Sequence, residues 1–192
     1  MRSGEAVYLG FRAHSGWAAM IAAADGPDGP RVLHRRRIEL ADASMPVQPY
    51  HAAEPMPYSK AEAFIARCLT TSCKLARQEL EAAIARLAPR RVRAACVLDS
   101  SARPLPDLRS VLAAHPLIHT AEGEMYREAI RTACADLGIA VVRVRERDVW
   151  ADAPAEAIAR IGKELGPPWT QDQKLATAAA LAAARRVRGT AA

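Results

Sequence analysis

The residues of this chain whose types and surroundings could do chemistry are Arg12, His14, Asp99 and Asp172. Asp99 stands at the carboxyl end of a short apolar run, 92–98. There its side chain either closes an Asx turn on the backbone or projects into a site. Asp172 falls in the first turn of an Ala- and Leu-rich stretch, where the helix dipole alone favours a carboxylate. Arg12 follows the first apolar run, and His14 lies beside it in a tight turn, the best-placed histidine for a functional role. Glu122 and Glu124 also occupy a predicted first turn. His115 and His119 are four apart, but Pro116 is expected to break the helix that would align them, so no zinc pair is expected. Cys68, Cys73, Cys96 and Cys134 form no C-x-x-C pair. Cys68 and Cys73 would point about 140° apart on a helix. Buried free thiols in a reducing compartment are the expectation.

The elements that must position these groups can be read from the pattern. Residues 6–12 and 17–24 are apolar strands joined by a turn at Gly16. The breaker cluster 25–30 leads to a third strand over 31–40, which makes an antiparallel meander. A proline-rich loop, 41–58, carries Tyr50, His51, Glu54 and Tyr58 and is read as a flap over a site or a mobile linker. Ser59 with Glu62 reads as a capping box opening a long amphipathic helix that Pro89 ends. A fourth strand spans 92–98. Asp107 caps a short helix, Thr120 caps a helix running to Leu137, and Gly138 stops it. A fifth strand spans 139–144. Asp152 and Pro154 open a further helix, and Thr170 with Gln173 caps the last one. The order is β-β-β-α-β-α-β-α, with the last α in two pieces. This is an α/β class with a five-stranded mixed sheet flanked by helices, in one domain over 1–192.

Composition bounds the function. The 192 residues are 51% hydrophobic and 25% charged, which excludes a wholly disordered chain. The net charge is +6; the 27 basic residues include four lysines, which leaves 23 arginines. That balance suits DNA or RNA as partner, while an arginine and alanine excess also follows from biased nucleotide composition. Arg35 to Arg37, Arg143/Arg145/Arg147 and Arg185/Arg186/Arg188 are basic runs that either track a phosphate backbone or form solvated edges. The Ala-rich run 175–184 is too short to span a membrane, and no signal segment is visible, so a cytoplasmic protein is expected.

The element order, with three short pieces of sequence, resembles the ribonuclease-H-like superfamily and, within it, RuvC-type Holliday-junction resolvases. The pieces are Val7-Tyr8-Leu9-Gly10-Phe11-Arg12, Cys96-Val97-Leu98-Asp99, and Asp172 ahead of the Ala/Leu helix. The resemblance implies carboxylates gathered at strand ends around two divalent ions, Mg or Mn, that hydrolyse a phosphodiester. Asp99 and Asp172 match two of the family's catalytic, metal-holding positions. The first-strand aspartate of the family is matched here by Arg12, and a guanidinium cannot ligate a cation. The resemblance therefore implies a ribonuclease-H-like protein engaging nucleic acid, with the metal site either degraded or rebuilt around Asp99 and Asp172. Arg12 and His14 are the expected nucleic-acid contacts. The alternative is a non-catalytic interaction or assembly protein, possible as a homodimer, that keeps the fold for its surface. There is no G-x-x-x-x-G-K-S/T, no G-x-G-x-x-G and no G-x-S-x-G, so nucleotide-binding and hydrolase-elbow chemistries have no motif here.

Overall fold

A computed structural model describes residues 5–100 and 104–189. The elements follow in the order β1 (Ala6–His14), β2 (Trp17–Gly26), β3 (Gly29–Glu39), α1 (Pro49–Ala53), α2 (Tyr58–Leu87), β4 (Arg91–Asp99), α3 (Leu108–Leu112) and α4 (His115–Asp136). They continue with β5 (Ala140–Arg145), a 3-10 helix (Glu146–Asp152), α5 (Ala155–Leu165) and α6 (Gln171–Gly189). The sheet order is β3-β2-β1-β4-β5. The expected meander is present, and β1 is the central strand: it pairs antiparallel with β2 and parallel with β4.

Alternation along β1 decides which side chain meets which helix. Val7, Leu9, Phe11 and Ala13 enter a core shared with Leu80 of α2 and with Tyr126 and Ile130 of α4. Tyr8 enters a second core with Cys96 and Leu98 of β4 and with Leu175 and Leu181 of α6. The two-residue period then sends Gly10 and Arg12 to the α6 face. A Cβ on Gly10 would collide with the α6 backbone at Ala176 and Ala180. The bare glycine therefore lets α6 lie flush on the central strand. The alanines of α6 complete that fit, since Ala176, Ala178, Ala179, Ala180, Ala182, Ala183 and Ala184 are fully buried. Burial pushes the thiols of Cys96 and Cys134 up to about 12, which makes them inert core groups at neutral pH.

Local signals held where nothing tertiary competed. Asp107 caps α3 by accepting from the Ser110 N–H, and Thr170 and Gln173 exchange both bonds of a capping box at the start of α6. Two expectations need correction. The long helix opens at Tyr58 with Pro57 as its cap, so Ser59 and Glu62 are already inside it. Pro116 does not break a helix; it sits in the first turn of α4, which opens at His115 rather than at Thr120. Proline is compatible with that position because the first N–H groups of a helix have no intrahelical acceptor. The proline-rich segment is likewise structured. It carries α1 and is tied to α4 where the Tyr126 hydroxyl donates to the Val47 carbonyl at 3.0 Å. Among the described residues no helix is long and apolar enough to cross a membrane.

Gly10→Ala should destabilise the fold by about 3 kcal/mol or more, because neither backbone can give way in a close-packed core. For a chain of this length that lowers the melting temperature by roughly 6–12 °C. Thermal denaturation followed by circular dichroism checks it, and an unchanged midpoint would refute the flush packing.

Candidate functional site

The end of β1 and the start of α6 bring three of the four singled-out residues together. Arg12 Nε lies 3.0 Å from Glu146 Oε2 and 3.7 Å from Asp172 Oδ1. Its Nη2 donates to Glu146 Oε1 at 3.4 Å, and its Nη1 donates to the Ala13 carbonyl at 3.1 Å. His14 Nε2 is 2.8 Å from Asp172 Oδ1. A proton on Nε2 satisfies that bond and leaves His14 Nδ1 free to accept from Arg12 Nη1 at 3.2 Å. Arg12, His14, Glu146 and Asp172 thus form one closed network, each member between about a quarter and a third exposed. His14 stacks on Trp17 with centroids 4.2 Å apart, and the Arg37 guanidinium lies over the Trp17 ring at 4.0 Å.

Each position has a local cause. The Thr170–Gln173 box sets where α6 begins and so where Asp172 points. Glu146 opens the 3-10 helix directly after β5. Arg12, Glu146 and Asp172 of this network line a cleft of about 540 Å³, whose walls also include Ser100, Arg147, Trp150 and Gln171. Trp150 is 39% exposed, unusual for so large an apolar ring. The side chain of Arg147 is 73% exposed, and its Nε lies 3.6 Å from the Asp148 carboxylate.

Asp99 is elsewhere. It follows Ala95 and Val97 on the face of the sheet that packs on α2 and α4, while Leu98 turns to α6. Its Oδ1 accepts from Arg131 Nη1 of α4 at 3.2 Å, and its Oδ2 accepts from Arg143 Nε at 2.9 Å. That hydrogen bond to Asp99 raises the Arg143 pKa further. Asp99 and Asp172 therefore lie on opposite faces of the sheet and share no site. A pair of hard divalent ions needs convergent oxygen donors. Here Arg12 sits between two of the available carboxylates and two further arginines take both oxygens of the third. The residues do not fit a two-metal centre, because a guanidinium keeps its charge in any protein environment.

Glu122 and Glu124 supply no missing ligand at the cleft. Burial opposes ionisation of Glu124, yet Arg127 and Arg131 hold its carboxyl below the usual range. Glu122 is buried, which pushes its carboxyl up, and its Oε1 accepts from the N–H groups of Tyr50 and His51 and from His51 Nδ1. It anchors α1. Sequence reasoning missed Glu146 and Trp150. The only signal for Glu146 was its place two residues beyond the expected fifth strand, near the kind of strand-end position weighed for Asp99.

No family model and no curated protein matches the chain. Solved structures do. Thermus thermophilus RuvC in complex with a Holliday junction substrate superposes with a TM-score of 0.59 at 14% identity, covering 95% of each chain. A second Thermus thermophilus RuvC structure gives a TM-score of 0.55 at 15% identity, covering 96% of each chain. The chain therefore has the ribonuclease-H-like fold in its RuvC form over nearly its whole length.

Proposed function

We propose that this protein engages nucleic acid through its RuvC-like cleft without two-metal hydrolysis there. The observation that carries the reading is the Arg12 network. A fixed cation sits at the end of the central strand, shared between Glu146 and Asp172. A similarly folded RuvC holds a Holliday junction substrate, which supports a DNA-sized ligand for this cleft.

The residues divide the work by their remaining valence. Arg12 and His14 are committed to carboxylates, and Arg12 lines the cleft with its charge already shared between Glu146 and Asp172. Arg147 projects into solvent and can take a phosphate oxygen, a contact that releases counterions. Trp150 offers a half-exposed ring beside it, on which an unpaired base can stack. Asp99, sealed by Arg131 and Arg143, holds β4, β5 and α4 together. Nothing in this division activates a water for attack on phosphorus.

Fluorescence anisotropy with branched, duplex and single-stranded DNA tests the reading. Binding is expected at low salt and should weaken steeply as salt rises. Arg147→Ala should flatten the dependence of log K on log salt by about 0.9. Trp150→Ala should weaken binding by about fivefold or more, the equivalent of ~1 kcal/mol of stacking. No strand should be cut in Mg or Mn. Absence of binding to all three DNAs at low salt would end the reading and favour the interaction-protein alternative.

Arg12→Asp supplies the complementary test. It removes the fixed cation and places a third carboxylate beside Glu146 and Asp172. Calorimetric titration should then show Mn²⁺ binding at least about tenfold tighter than in the wild type, as expected when an opposing charge a few ångströms away becomes a ligand. Tight binding of two ions by the wild type, lost in Asp172→Asn, would show that Arg12 does not exclude them.

A further inference from the structure

His51, His115 and His119 form a cluster remote from the cleft, and neither the fold nor the proposed function uses it. His115 and His119 lie one turn apart at the start of α4, aligned because Pro116 opens the helix instead of breaking it. His51 comes from α1. One ligand nitrogen from each lies within 4.8 Å of the other two. The rings meet edge to face, with centroids 4.6 to 5.3 Å apart. Sixteen residues of α4 separate His115 from Arg131, the partner of Asp99, which is about 24 Å along the helix axis.

We propose that these three histidines bind one zinc-class divalent cation, with the fourth position left open to solvent. Four features support it. First, His115 Nε2 and His119 Nε2 are 3.1 Å apart. Two imidazole lone pairs at that distance must share a proton or a cation, and tetrahedral zinc with Zn–N near 2.05 Å sets its ligand nitrogens about 3.3 Å apart. Second, the widest spacing needs a closure of at most about 1.5 Å, which ring rotation of exposed side chains supplies. Third, His51 Nδ1 lies 3.1 Å from Glu122 Oε1. A proton on Nδ1 fixes the tautomer and leaves Nε2 unprotonated to coordinate, the usual carboxylate–histidine–metal arrangement.

The fourth feature is the state of Glu122 itself. Its residue is 2% exposed, and its Oε2 is buried with no hydrogen-bond partner. Among the described residues its ion-pair partner is His51. A cation on His51 would supply the positive charge that a neutral imidazole cannot. The all-imidazole donor set suits zinc, nickel or copper and not magnesium or manganese, so this site is chemically distinct from the one the fold implies. Occupancy would clamp α1, and with it the proline-rich segment, onto α4.

Titration of tag-free, chelator-treated protein with Zn²⁺, and with Co²⁺ as a spectroscopic probe, decides the matter. One ion per chain should bind at micromolar or tighter affinity, with the visible spectrum of Co²⁺ in a nitrogen-rich tetrahedral site. His115→Ala/His119→Ala, both exposed positions, should keep the native circular dichroism and weaken binding by more than about 100-fold. Glu122→Gln should weaken it by about 10- to 100-fold. Zn²⁺ should slow amide exchange over residues 49–53 in the wild type and not in the double variant. Binding only at millimolar Zn²⁺, or binding unchanged in the double variant, would overturn the site. Full affinity in Glu122→Gln would overturn the orienting role given to Glu122.

Discussion

The contact of the α6 backbone with Gly10 is the constraint from which the rest of the molecule follows. A helix can lie flush on a strand only where both surfaces lack side-chain bulk. Gly10 supplies that on β1, and the run of buried alanines supplies it on α6. Two residues beyond Gly10, on the same face, stands Arg12. One turn before Ala176 stands Asp172. The close approach that seats the helix therefore also sets a guanidinium within 3.7 Å of a carboxylate. Glu146, delivered by the end of β5, completes a group in which one guanidinium is shared by two carboxylates. Such half-buried pairs contribute modestly to stability, about 1 kcal/mol or less each. Their larger consequence is chemical, since they use up the carboxylates that a pair of divalent ions would need.

Strand parity separates the other carboxylate from this group. Moving one residue along a strand changes the face, and Asp99 falls on the face of Ala95 and Val97. It is held there by Arg131 from α4 and Arg143 from β5. Each face of the sheet thus ends in its own arginine–carboxylate lock. The cleft between the strand ends and the 3-10 helix has Trp150 and Arg147 exposed on its wall. The proposed metal cluster at the start of α4 belongs to a third place, set by α1 docking on Glu122.

Much of this was legible in the sequence. The meander and the helix caps at Asp107 and Thr170 are local or periodic signals, and nothing tertiary overrode them. Arg12 was visible in the sequence as a departure from the aspartate that the resembling family carries on its first strand. The failures have physical causes too. Which face Asp99 takes depends on a register that a short, continuously apolar run does not encode. Pro116 reads as a breaker or as an opener according to where the helix starts, and α4 starts at His115, which puts the proline in its first turn. Ser59 and Glu62 have capping-box spacing, but Pro57 already supplies the helix boundary. Glu146 and Trp150 carry no motif; only the closure of the fold brings them to Arg12.

Anomalous diffraction from crystals grown with Mn²⁺ tests the central claim most directly. With Arg12 holding Glu146 and Asp172, no manganese peak should appear at the carboxyl end of β1, and the guanidinium should lie between the two carboxylates. A pair of peaks there, with Arg12 swung away and Asp172 as a shared ligand, would contradict the account.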